Sequence, residues 1–518
     1  MKIVSVEQMS AIEQAANREG IAYATMMDHA GTGVAGWVLA HLNCQYGVVG
    51  LVGSGNNGGD TLIALTKLFA RGLRTAAFLV RPRGDDPLIA HYLATGGEVI
   101  DLSEGERMAI FQAALDRGTI LLDGMLGTGF RLPLRGTLGE VMSVIHTIVQ
   151  QQPGLQIIAV DCPSGVDCDT GEASAVCLPA SHTLTMAAVK TGLLRHPAHA
   201  LVGEIHRIDI GIGEIENYQV EALPEMIDPL MAKGNLPKRP ETGHKGTFGT
   251  ALIVAGSQPY TGAAYLAGKA AYRAGCGLVH LATHPPVQQA LSGRLIEAVW
   301  TVLPGKDSGY DQAGAALLKE GLAKAQSVAL GPGWGLQDES QAFLGALLAL
   351  IPPEIPTVID ADGLKILSRI LNWWEKVPAQ TILTPHPGEM SVLTGLSTTE
   401  IQNDRWTVAK QFAQKWGVVL VLKGALTVIG TPDGGLFINP ISDSALGTAG
   451  SGDVLTGVVS GLLAQGMAQV PAALLGVWLH SQAGRIAHQR LGGPQSVTAL
   501  DILDALPAAF AATKEAGQ

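Results

Sequence analysis

Short β-type runs alternate with helix-compatible segments twice along this chain of 518 residues. In the first half, the apolar runs that end at turns are 48–52, 76–80, 120–123 and 157–161. A segment from 214 to 244 is rich in Glu, Pro and Asn without a sustained period, and a second alternation begins at Thr250. Because strands that alternate with helices form parallel sheets, this pattern predicts an α/β fold with two separate three-layer α/β domains. We expect domains at 1–215 and 241–518, joined by a linker at 216–240.

The composition indicates a globular protein: 47% of the residues are hydrophobic and 15% are charged, and the length exceeds one ordinary core. A formal net charge of −11 argues against nucleic acid and anionic membranes as partners. The five cysteines are scattered and odd in number, which favours neither a disulfide framework nor a zinc site. The N-terminus lacks the apolar stretch of a secretory signal, and the run at 344–351 is too short to span a bilayer. We therefore expect a cytoplasmic protein without a membrane or nucleic-acid partner.

Two helices are predicted ahead of the first strand, at 6–19 and 22–42. The first carries an apolar stripe at helical spacing, formed by Val6, Met9, Ile12 and Ala16. We expect this stripe to pack on the sheet of its own domain, and a dimer face is the alternative. We also expect the protein to form a homo-oligomer.

A glycine-rich turn at 449–457, AGSGDVLTG, leads directly into an apolar, helix-compatible segment. Gly450 and Gly452 would let the backbone approach an anion, and the amides of the following helix would point at it. Asp453 would be unfavourable beside a phosphate unless it holds a metal or accepts a proton from the attacking group. An ordinary helix cap is an equally good interpretation of this stretch taken alone.

Polar turns of the first half follow three predicted strands, at 53–60, 123–129 and 161–167. Ligands of open α/β sheets bind outside the carboxyl ends of the strands, so we expect these turns to meet. The first turn has neither the glycine spacing of the dinucleotide fingerprint nor the lysine of a P-loop. Oxygen atoms of Asn57, Asp123 and Ser164 would suit a monovalent or hard cation. Turn geometry, helix capping and local hydrogen bonding are the alternative roles of these residues taken singly.

The sequences GSGNNGGD, DGMLGTGF and DCPSGVD, preceded by a helical pair ending in MMDHAG, resemble the NAD(P)H-hydrate epimerase domain over roughly 1–215. The resemblance implies a Rossmann-like fold in which Asn57, Asp123 and Ser164 bind potassium. It also implies that Asp161 contacts the hydrated nicotinamide, and Asp161 is our candidate acid and base for epimerisation. The substrate-binding residues that the resemblance implies are Asn56, Asn57, Gly58, Gly59, Asp60, Gly127, Thr128, Gly129, Phe130, Arg131, Leu132, Pro133 and Asp161.

Further motifs lie next to predicted strands of the second half. They are HKG at 244–246, a Gly-Ser pair at 256–257, GAA at 262–264, GPG at 331–333, PHPGE at 385–389 and KG at 423–424. Each of these motifs also has an alternative interpretation in which it serves the structure and binds no ligand. The small residues would allow close helix packing, Lys423 would be a solvated strand end, and His386 would be a rigid turn residue between two prolines.

The order of these motifs, followed by GSGDVL, resembles the ADP- or ATP-dependent NAD(P)H-hydrate dehydratase of ribokinase-like fold over roughly 225–510. The resemblance implies that Asp453 is the catalytic base and that magnesium accompanies the nucleotide phosphates. The implied adenine-nucleotide site consists of Lys423, Gly424, Ala425, Leu426, Thr427 and Gly452. The implied hydrate site consists of Ala263, Gly333, His386 and Asp453. Bacterial members use ADP, and the fusion of both domains in one chain favours a prokaryote, so we expect ADP as the donor.

Together the two resemblances predict an isomerase and lyase that repairs hydrated NADH and NADPH. The first domain would interconvert the R and S hydrates, NADHX and NADPHX, and the second would dehydrate the S hydrate with ADP, releasing AMP and phosphate. Phosphorylation turns a poorly leaving hydroxide into a good leaving group, so phosphoryl transfer followed by elimination would regenerate the dihydronicotinamide. The alternative is a ribokinase-type small-molecule kinase with a non-catalytic N-terminal nucleotide-binding module.

Overall fold

The computed structural model describes residues 1–44, 47–102, 107–115, 119–152, 154–218, 222–305 and 309–516. The chain divides into two compact units, Met1–Pro224 and Glu225–Gln518, each built around one large, mainly parallel sheet. The predicted α/β class is therefore confirmed. In the described part of the chain, no helix combines the length and the apolar character needed to cross a bilayer.

The first unit alternates strands and helices as the sequence predicts. Its strands are β1 (Ile3–Val4), β2 (Val48–Val52), β3 (Thr75–Leu79), β4 (Glu98–Asp101), β5 (Ile120–Gly124), β6 (Gln156–Val160), β7 (His182–Met186), β8 (Val189–Lys190) and β9 (Glu204–Ile208). Its helices are α1 (Val6–Arg18), α2 (Tyr23–His41), α3 (Asn56–Ala70), α4 (Pro87–Ala94), α5 (Arg107–Leu115) and α6 (Gly136–Gln150). The main sheet is parallel throughout, in the order β4-β3-β2-β5-β6-β7-β9, and β1 pairs with β8 separately.

The main sheet of the first unit lies between two apolar clusters, which gives this unit three layers. Val48 and Val52 of β2 belong to a cluster with α1, α2 and α3, whereas Val49 and Leu51 belong to one with α5 and α6. Alternate residues of a strand point to opposite faces, so a fully buried strand supplies both clusters. The stripe residues Met9, Ile12 and Ala16 are buried in the first of these clusters, in the core of their own unit.

The second unit contains the remaining elements. Its strands are β10 (Glu225–Met226), β11 (Thr250–Val254), β12 (Leu278–Thr283), β13 (Val299–Val302), β14 (Ser327–Leu330), β15 (Thr357–Ile359), β16 (Thr381–Leu383), β17 (Val419–Leu422), β18 (Val428–Gly430) and β19 (Leu436–Ile438). Its helices are α7 (Pro229–Gly234), α8 (Thr261–Ala274), α9 (Pro285–Leu291), α10 (Lys319–Leu322), α11 (Glu339–Leu348), α12 (Asp362–Leu367), α13 (Pro387–Thr394), α14 (Thr398–Asn403), α15 (Arg405–Trp416), α16 (Ser451–Ala464), α17 (Gln469–Leu491) and α18 (Ala499–Glu515). The sheet order is β10-β19-β18-β17-β16-β15-β14-β11-β12-β13, and β18 is antiparallel to both of its neighbours.

The segment 216–240, which we expected to be a linker, is divided between the units, and its part from Glu225 onward contributes structure to the second unit. Strand β10 pairs with β19, and α7 packs against α17 and α18. Ile227 and Ala232 are buried in the core of that unit, although two apolar residues five positions apart give no periodic signal in the sequence. Residues 219–221 of this segment lie outside the described residues.

Helices α8 and α16 of the second unit approach each other through glycine. A Cβ atom at Gly457 would lie 2.2 Å from the Ala267 carbonyl oxygen, and one at Gly461 would lie 2.5 Å from the Ala271 carbonyl oxygen. Both distances are far below van der Waals contact, so a side chain at either position would push the helices apart. The glycines thus set the separation of the α8 and α16 backbones in the middle of the two helices.

Candidate functional site

The first candidate site lies where the three polar turns of the first unit meet. Asn57 Nδ2, at the start of α3, donates to the Leu126 carbonyl oxygen at 2.8 Å. The Leu126 amide, after β5, donates to Ser164 Oγ, after β6, at 2.9 Å. Three turns that follow three different parallel strands are therefore joined by direct hydrogen bonds, as their positions at strand ends predict.

Asn57, Asp123 and Ser164 supply buried oxygen atoms at this junction. The Asp123 carboxylate is fully buried and accepts hydrogen bonds from the amide and hydroxyl of Ser164 and from the Met125 amide. Burial raises the pKa of Asp123, and the Ser164 hydrogen bonds oppose that rise. Among the described residues, Asn57 Oδ1 is buried without a hydrogen-bond partner. An orphaned amide oxygen near a buried carboxylate and a hydroxyl is a ligand set that fits a hard monovalent cation.

The NNGGD segment forms the first turn of α3, where backbone amides have no partner within the helix. A Cβ at Gly58 would lie 2.0 Å from the Gly53 carbonyl oxygen, and one at Gly59 would lie 2.8 Å from Met27 Sδ. Packing against the backbone therefore requires glycine at position 58, whereas a side chain at position 59 would displace the flexible end of Met27. A Cβ at Gly127 would lie 3.2 Å from the Asn57 Cβ, so the 127–133 loop begins against this turn. Such a helix start, bordered by a loop of half-buried and exposed residues, can hold a phosphate group.

Asp161 follows β6 in the left-handed region, with a φ of 64°, a conformation that is uncommon for any residue but glycine. Its Oδ1 accepts hydrogen bonds from the Met186 amide at 3.0 Å and from Thr185 Oγ1 at 3.3 Å, and it forms an ion pair with Lys190 Nζ. Burial opposes the charge of Lys190, but attraction to Asp161 outweighs it and raises the pKa of the ammonium group. The ion pair therefore fixes the Asp161 carboxylate, in a strained backbone conformation, at the strand ends.

Two further carboxylates lie close to Asp161. Burial raises the pKa of Asp60 well above its usual range, and the negative charges of Asp161 and Glu13 add to the rise. Burial also raises the pKa of Glu13. Lys190 and Arg83 oppose the rise at Asp60, and Lys190 opposes the rise at Glu13. The site thus places a carboxyl group with a raised pKa close to the ion pair of Asp161 and Lys190.

Lys190 and Glu13 were not among the site residues predicted from the sequence. Lys190 lies 29 positions from Asp161 and ends β8, a two-residue strand that pairs with β1. Glu13 lies on α1, where a carboxylate is normally read as solvated. No motif in the neighbouring sequence marks Lys190 or Glu13 as a site residue. However, the run TLTMAAVK places a lysine after a β-type segment, and this position at a strand end would have justified including Lys190.

The second candidate site is a cavity of about 570 Å³ in the second unit. Gly450 caps the start of α16 in the left-handed conformation, with a φ of 87°, and Asp453 lies in the first turn of that helix. The cavity brings together most of the residues predicted for this half, namely His386, Lys423, Gly424, Ala425, Thr427, Gly452 and Asp453. Leu426 is buried beside them, with a φ of 56°.

Charged groups at this cavity form a connected network. Lys423 Nζ contacts Asp360 Oδ1 at 2.7 Å and Glu389 Oε2 at 3.7 Å. The other oxygen of Asp360 accepts a hydrogen bond from Thr456 Oγ1 at 2.7 Å. Lys423 is therefore an anchored cation inside the site and not a solvated strand end, which was the alternative role considered for it.

Asp453 differs from Asp360 in its electrostatic surroundings. Burial raises the pKa of Asp453 to about 7, and the negative charge of Asp360 adds to the rise while Lys423 opposes it. A carboxylate with a pKa near neutrality can take a proton from a hydroxyl and release it again at physiological pH. This is the property that a general base in the cavity needs.

His386 acts locally as a helix cap: its Nδ1 accepts hydrogen bonds from the amides of Gly388 and Glu389 at the start of α13. Burial lowers the pKa of His386. Ala263 and Gly333 are not lining residues of the cavity, but they meet each other, since a Cβ at Gly333 would lie 2.8 Å from the Ala263 Cβ. They follow β11 and β14, at the same edge of the sheet as the cavity.

Asp360, Glu389 and Thr456 are network residues that sequence reasoning missed. Asp360 directly follows β15, so the strand-end rule that identified other positions would have found it. Glu389 belongs to the PHPGE motif and Thr456 to the glycine-rich turn, but nothing in the sequence shows that their side chains would meet one lysine.

Two family models match this chain, one in each unit. Residues 251–508 match the family model described as NAD(P)H-hydrate dehydratase, and residues 23–192 match the model of the YjeF-related protein N-terminus. The bifunctional NAD(P)H-hydrate repair enzyme Nnr of Moorella thermoacetica is 35% identical over 98% of this chain and 96% of its own. The chain belongs to this family.

A second family member, from Thermofilum pendens, is 34% identical over 99% of this chain and 97% of its own. Among solved structures, the ADP/ATP-dependent NAD(P)H-hydrate dehydratase from Bacillus subtilis, co-crystallized with ATP/Mg2+, is 30% identical. It covers 57% of this chain and 100% of its own, with a TM-score of 0.48. Membership of the bifunctional NAD(P)H-hydrate repair enzymes confirms the family resemblance and favours repair over the kinase alternative.

Proposed function

We propose that this chain repairs hydrated NADH and NADPH in two steps. The first unit interconverts the R and S hydrates, NADHX and NADPHX, and the second dehydrates the S hydrate with ADP, giving the reduced cofactor, AMP and phosphate. The observation that carries the proposal is Asp453, a carboxylate of pKa about 7 at a glycine-rich helix start that lines a cavity. By the sequence resemblance the activities reside in 1–215 and 241–518.

In the dehydratase step, Asp453 removes the proton of the substrate hydroxyl, whose oxygen attacks the terminal phosphorus of ADP as AMP leaves. The ring nitrogen then helps to expel the phosphate, and loss of a proton from the neighbouring ring carbon restores the double bond. The amides around Gly450 and Gly452 stabilise charge on the transferred group. Lys423, fixed by Asp360, supplies a cation for the nucleotide phosphates. In this proposal, Ala263, Gly333 and His386 face the hydrate, and the 423–427 turn holds the nucleotide.

Magnesium would accompany the nucleotide in this site. The carboxylates of Asp360, Glu389 and Asp453 together outnumber the ammonium group of Lys423, so the residues present suit a phosphate ligand that brings its own divalent cation. When bound, magnesium neutralises charge on the phosphates during transfer. Asp360 has both oxygens engaged by Lys423 and Thr456, and its role is to position that lysine.

In the epimerase step, Asp161 and Asp60 act as a pair. Asp60, whose pKa is raised by burial and by the neighbouring carboxylates, gives a proton to the departing hydroxide while the ring nitrogen stabilises the cation. Asp161, paired with Lys190, accepts a proton from the water that returns on the opposite face. The first turn of α3, Asn56–Asp60, and the 127–133 loop hold the phosphates of the dinucleotide.

Potassium fits the junction of Asn57, Asp123 and Ser164. Its support is the buried Asn57 Oδ1, which has no hydrogen-bond partner in the described part of the chain, close to the fully buried Asp123 carboxylate. When bound, the ion would neutralise Asp123 and fix the 127–133 loop against the start of α3. These residues would thereby hold the phosphate-binding segments in place.

The proposal is tested with the full-length protein, a mixture of hydrate epimers and either ADP or ATP, by following the absorbance of the reduced nicotinamide. The wild type should restore the full absorbance of the reduced nicotinamide. With Asp161→Asn, the recovery of absorbance should stop once the S hydrate is consumed. With Asp453→Asn, no absorbance should return, although the epimers should still interconvert. The exposed carboxylate change Asp338→Asn should behave as the wild type. Accumulation of a stable phosphorylated product, or complete recovery by Asp161→Asn at the wild-type rate, would overturn the proposal.

Three properties stay predictions at this point: ADP as the preferred donor, a cytoplasmic location and a homo-oligomeric state. Parallel assays with ADP and ATP check the first, cell fractionation checks the second and light scattering of the purified protein checks the third.

A further inference from the structure

A cluster of three metal-ligating side chains lies in the first unit, away from the candidate active site. In the parallel register of β7 and β9, His182 lies beside Glu204, and His206 lies two residues further along the same face of β9. His182 opens β7, whereas Asp161 contacts Thr185 and Met186 at the other end of that strand. The cluster therefore has no part in the proposed chemistry of Asp161.

The two imidazole nitrogens of this cluster are close enough to share one ion, and the Glu204 carboxylate would move towards them to complete the site. His182 Nδ1 and His206 Nε2 are 3.2 Å apart, and His182 Nδ1 is 4.0 Å from Glu204 Oε2. One ligand atom from each residue lies within 4.8 Å of the other two. Two nitrogen ligands of a tetrahedral ion with bonds of about 2.0 Å are about 3.3 Å apart, so the imidazole spacing matches without rearrangement.

The surroundings favour ligation over a charged histidine pair. The Trp37 ring on α2 lies 4.9 Å from the His182 ring and 4.8 Å from the His206 ring, and forms an apolar wall behind them. Burial lowers the pKa of both imidazoles, that of His206 to about 4. Metal binding requires the neutral form of the imidazole ring.

We propose that His182, Glu204 and His206 bind a divalent transition-metal ion, with zinc as the expected occupant and water completing the coordination. Two imidazoles and one carboxylate are borderline ligands that suit zinc, nickel and copper better than magnesium or calcium. The ion would tie the edge strand β9 to β7 and stabilise the first unit. It would not act in epimerisation.

The test uses full-length protein without a polyhistidine tag, stripped with a chelator and titrated calorimetrically with zinc chloride. The wild type should bind one zinc ion more than His182→Ala/His206→Ala, and zinc should raise its melting temperature. Glu204→Gln, at an exposed position that leaves the fold intact, should bind at least about tenfold more weakly. His91→Ala, at an exposed histidine outside the cluster, should bind as the wild type does.

Copper provides an independent readout, because a paramagnetic ion at the cluster would quench Trp37. The wild type should lose more fluorescence than Trp37→Phe when copper is added, and the difference should vanish in the double histidine variant. Epimerase rates should be unchanged by zinc. Equal zinc stoichiometry and affinity in the wild type and the double variant, or binding only at millimolar zinc, would overturn the proposal.

Discussion

Replacing Asp360 with Asn should move the pH dependence of dehydration to lower pH. Burial raises the pKa of Asp453 from 3.8 to about 7, and the negative charges of Asp360, Asp362 and Glu389 add to the rise while Lys423 opposes it. Asp360 is the largest of these charge contributions, and removing one neighbouring charge lowers a pKa by on the order of one unit, or about 1.4 kcal/mol. Asp360→Asn also releases Lys423 from its ion pair, and the freed ammonium acts in the same direction. The variant should therefore have an Asp453 pKa of about 6.

The assay is kcat/KM for the S hydrate between pH 5 and 9, which reports the free enzyme. A base works in its ionised form, so the rate should rise with pH and level off above the pKa. At pH 6 about one-tenth of wild-type Asp453 is ionised, against about one-half in the variant, so the variant should keep a roughly fivefold larger share of its plateau rate. The plateau itself should fall, because Lys423 loses its anchor.

Ionisation of the nucleotide phosphate also affects such a profile, but it does so equally in both proteins. The difference between the midpoint pH values of the wild type and of Asp360→Asn therefore reports the change in the pKa of Asp453. Asp338→Asn removes an exposed carboxylate of the same unit and should leave the midpoint in place. A midpoint that stays at about 7 in Asp360→Asn, or moves to higher pH, would refute the electrostatic account of Asp453.

Three further predictions concern the first unit. Lys190→Met leaves Asp161 without its cation, so thermal unfolding should show a loss of about 3 kcal/mol and epimerisation should slow by about two orders of magnitude. Gly58→Ala places a Cβ 2.0 Å from the Gly53 carbonyl oxygen, and should cost about 2 kcal/mol of stability and weaken substrate binding in a KM measurement. Asp123→Asn removes the charged ligand of the proposed potassium site; epimerisation in potassium chloride should fall about tenfold, to the wild-type rate in choline chloride.

Each of these variants has an internal control in the same chain. Dehydration of the purified S hydrate takes place in the second unit and should stay at the wild-type rate. Gly36→Ala on α2, where a Cβ meets nothing within 4 Å, should cost no stability and controls for the glycine change. Equal losses of both activities would show that these residues serve the whole chain and not epimerisation.

The sequence predicts the strands well because a parallel strand buried on both faces is a continuous apolar run bounded by turns. The run 48–52 coincides with β2, and the other three predicted runs agree with β3, β5 and β6 to within one residue at each end. Since strand ends share one sheet edge, the meeting of Asn57 with the turn after Asp123 could be predicted as well.

The charge partners of the candidate sites could not be predicted in the same way. Asp161 and Lys190 are 29 positions apart, and Asp360 and Lys423 are 63 positions apart. Which carboxylate meets which lysine depends on side-chain directions that only the folded chain defines. The perturbed pKa of Asp453 has the same origin, because burial and the charge of Asp360 are properties of the tertiary structure.

The glycine contacts between α8 and α16 have a consequence for substrate discrimination. Ala263 lies in the first turn of α8, Asp453 lies in the first turn of α16, and Gly457 brings the two helix backbones into contact. Contact between the two backbones resists sliding or tilting of the helices, so the separation between Ala263 and Asp453 is set by packing. Under the proposed function, a hydroxyl presented from the wrong face of the ring would lie at the wrong distance from Asp453, and the helix pair would not adjust to it.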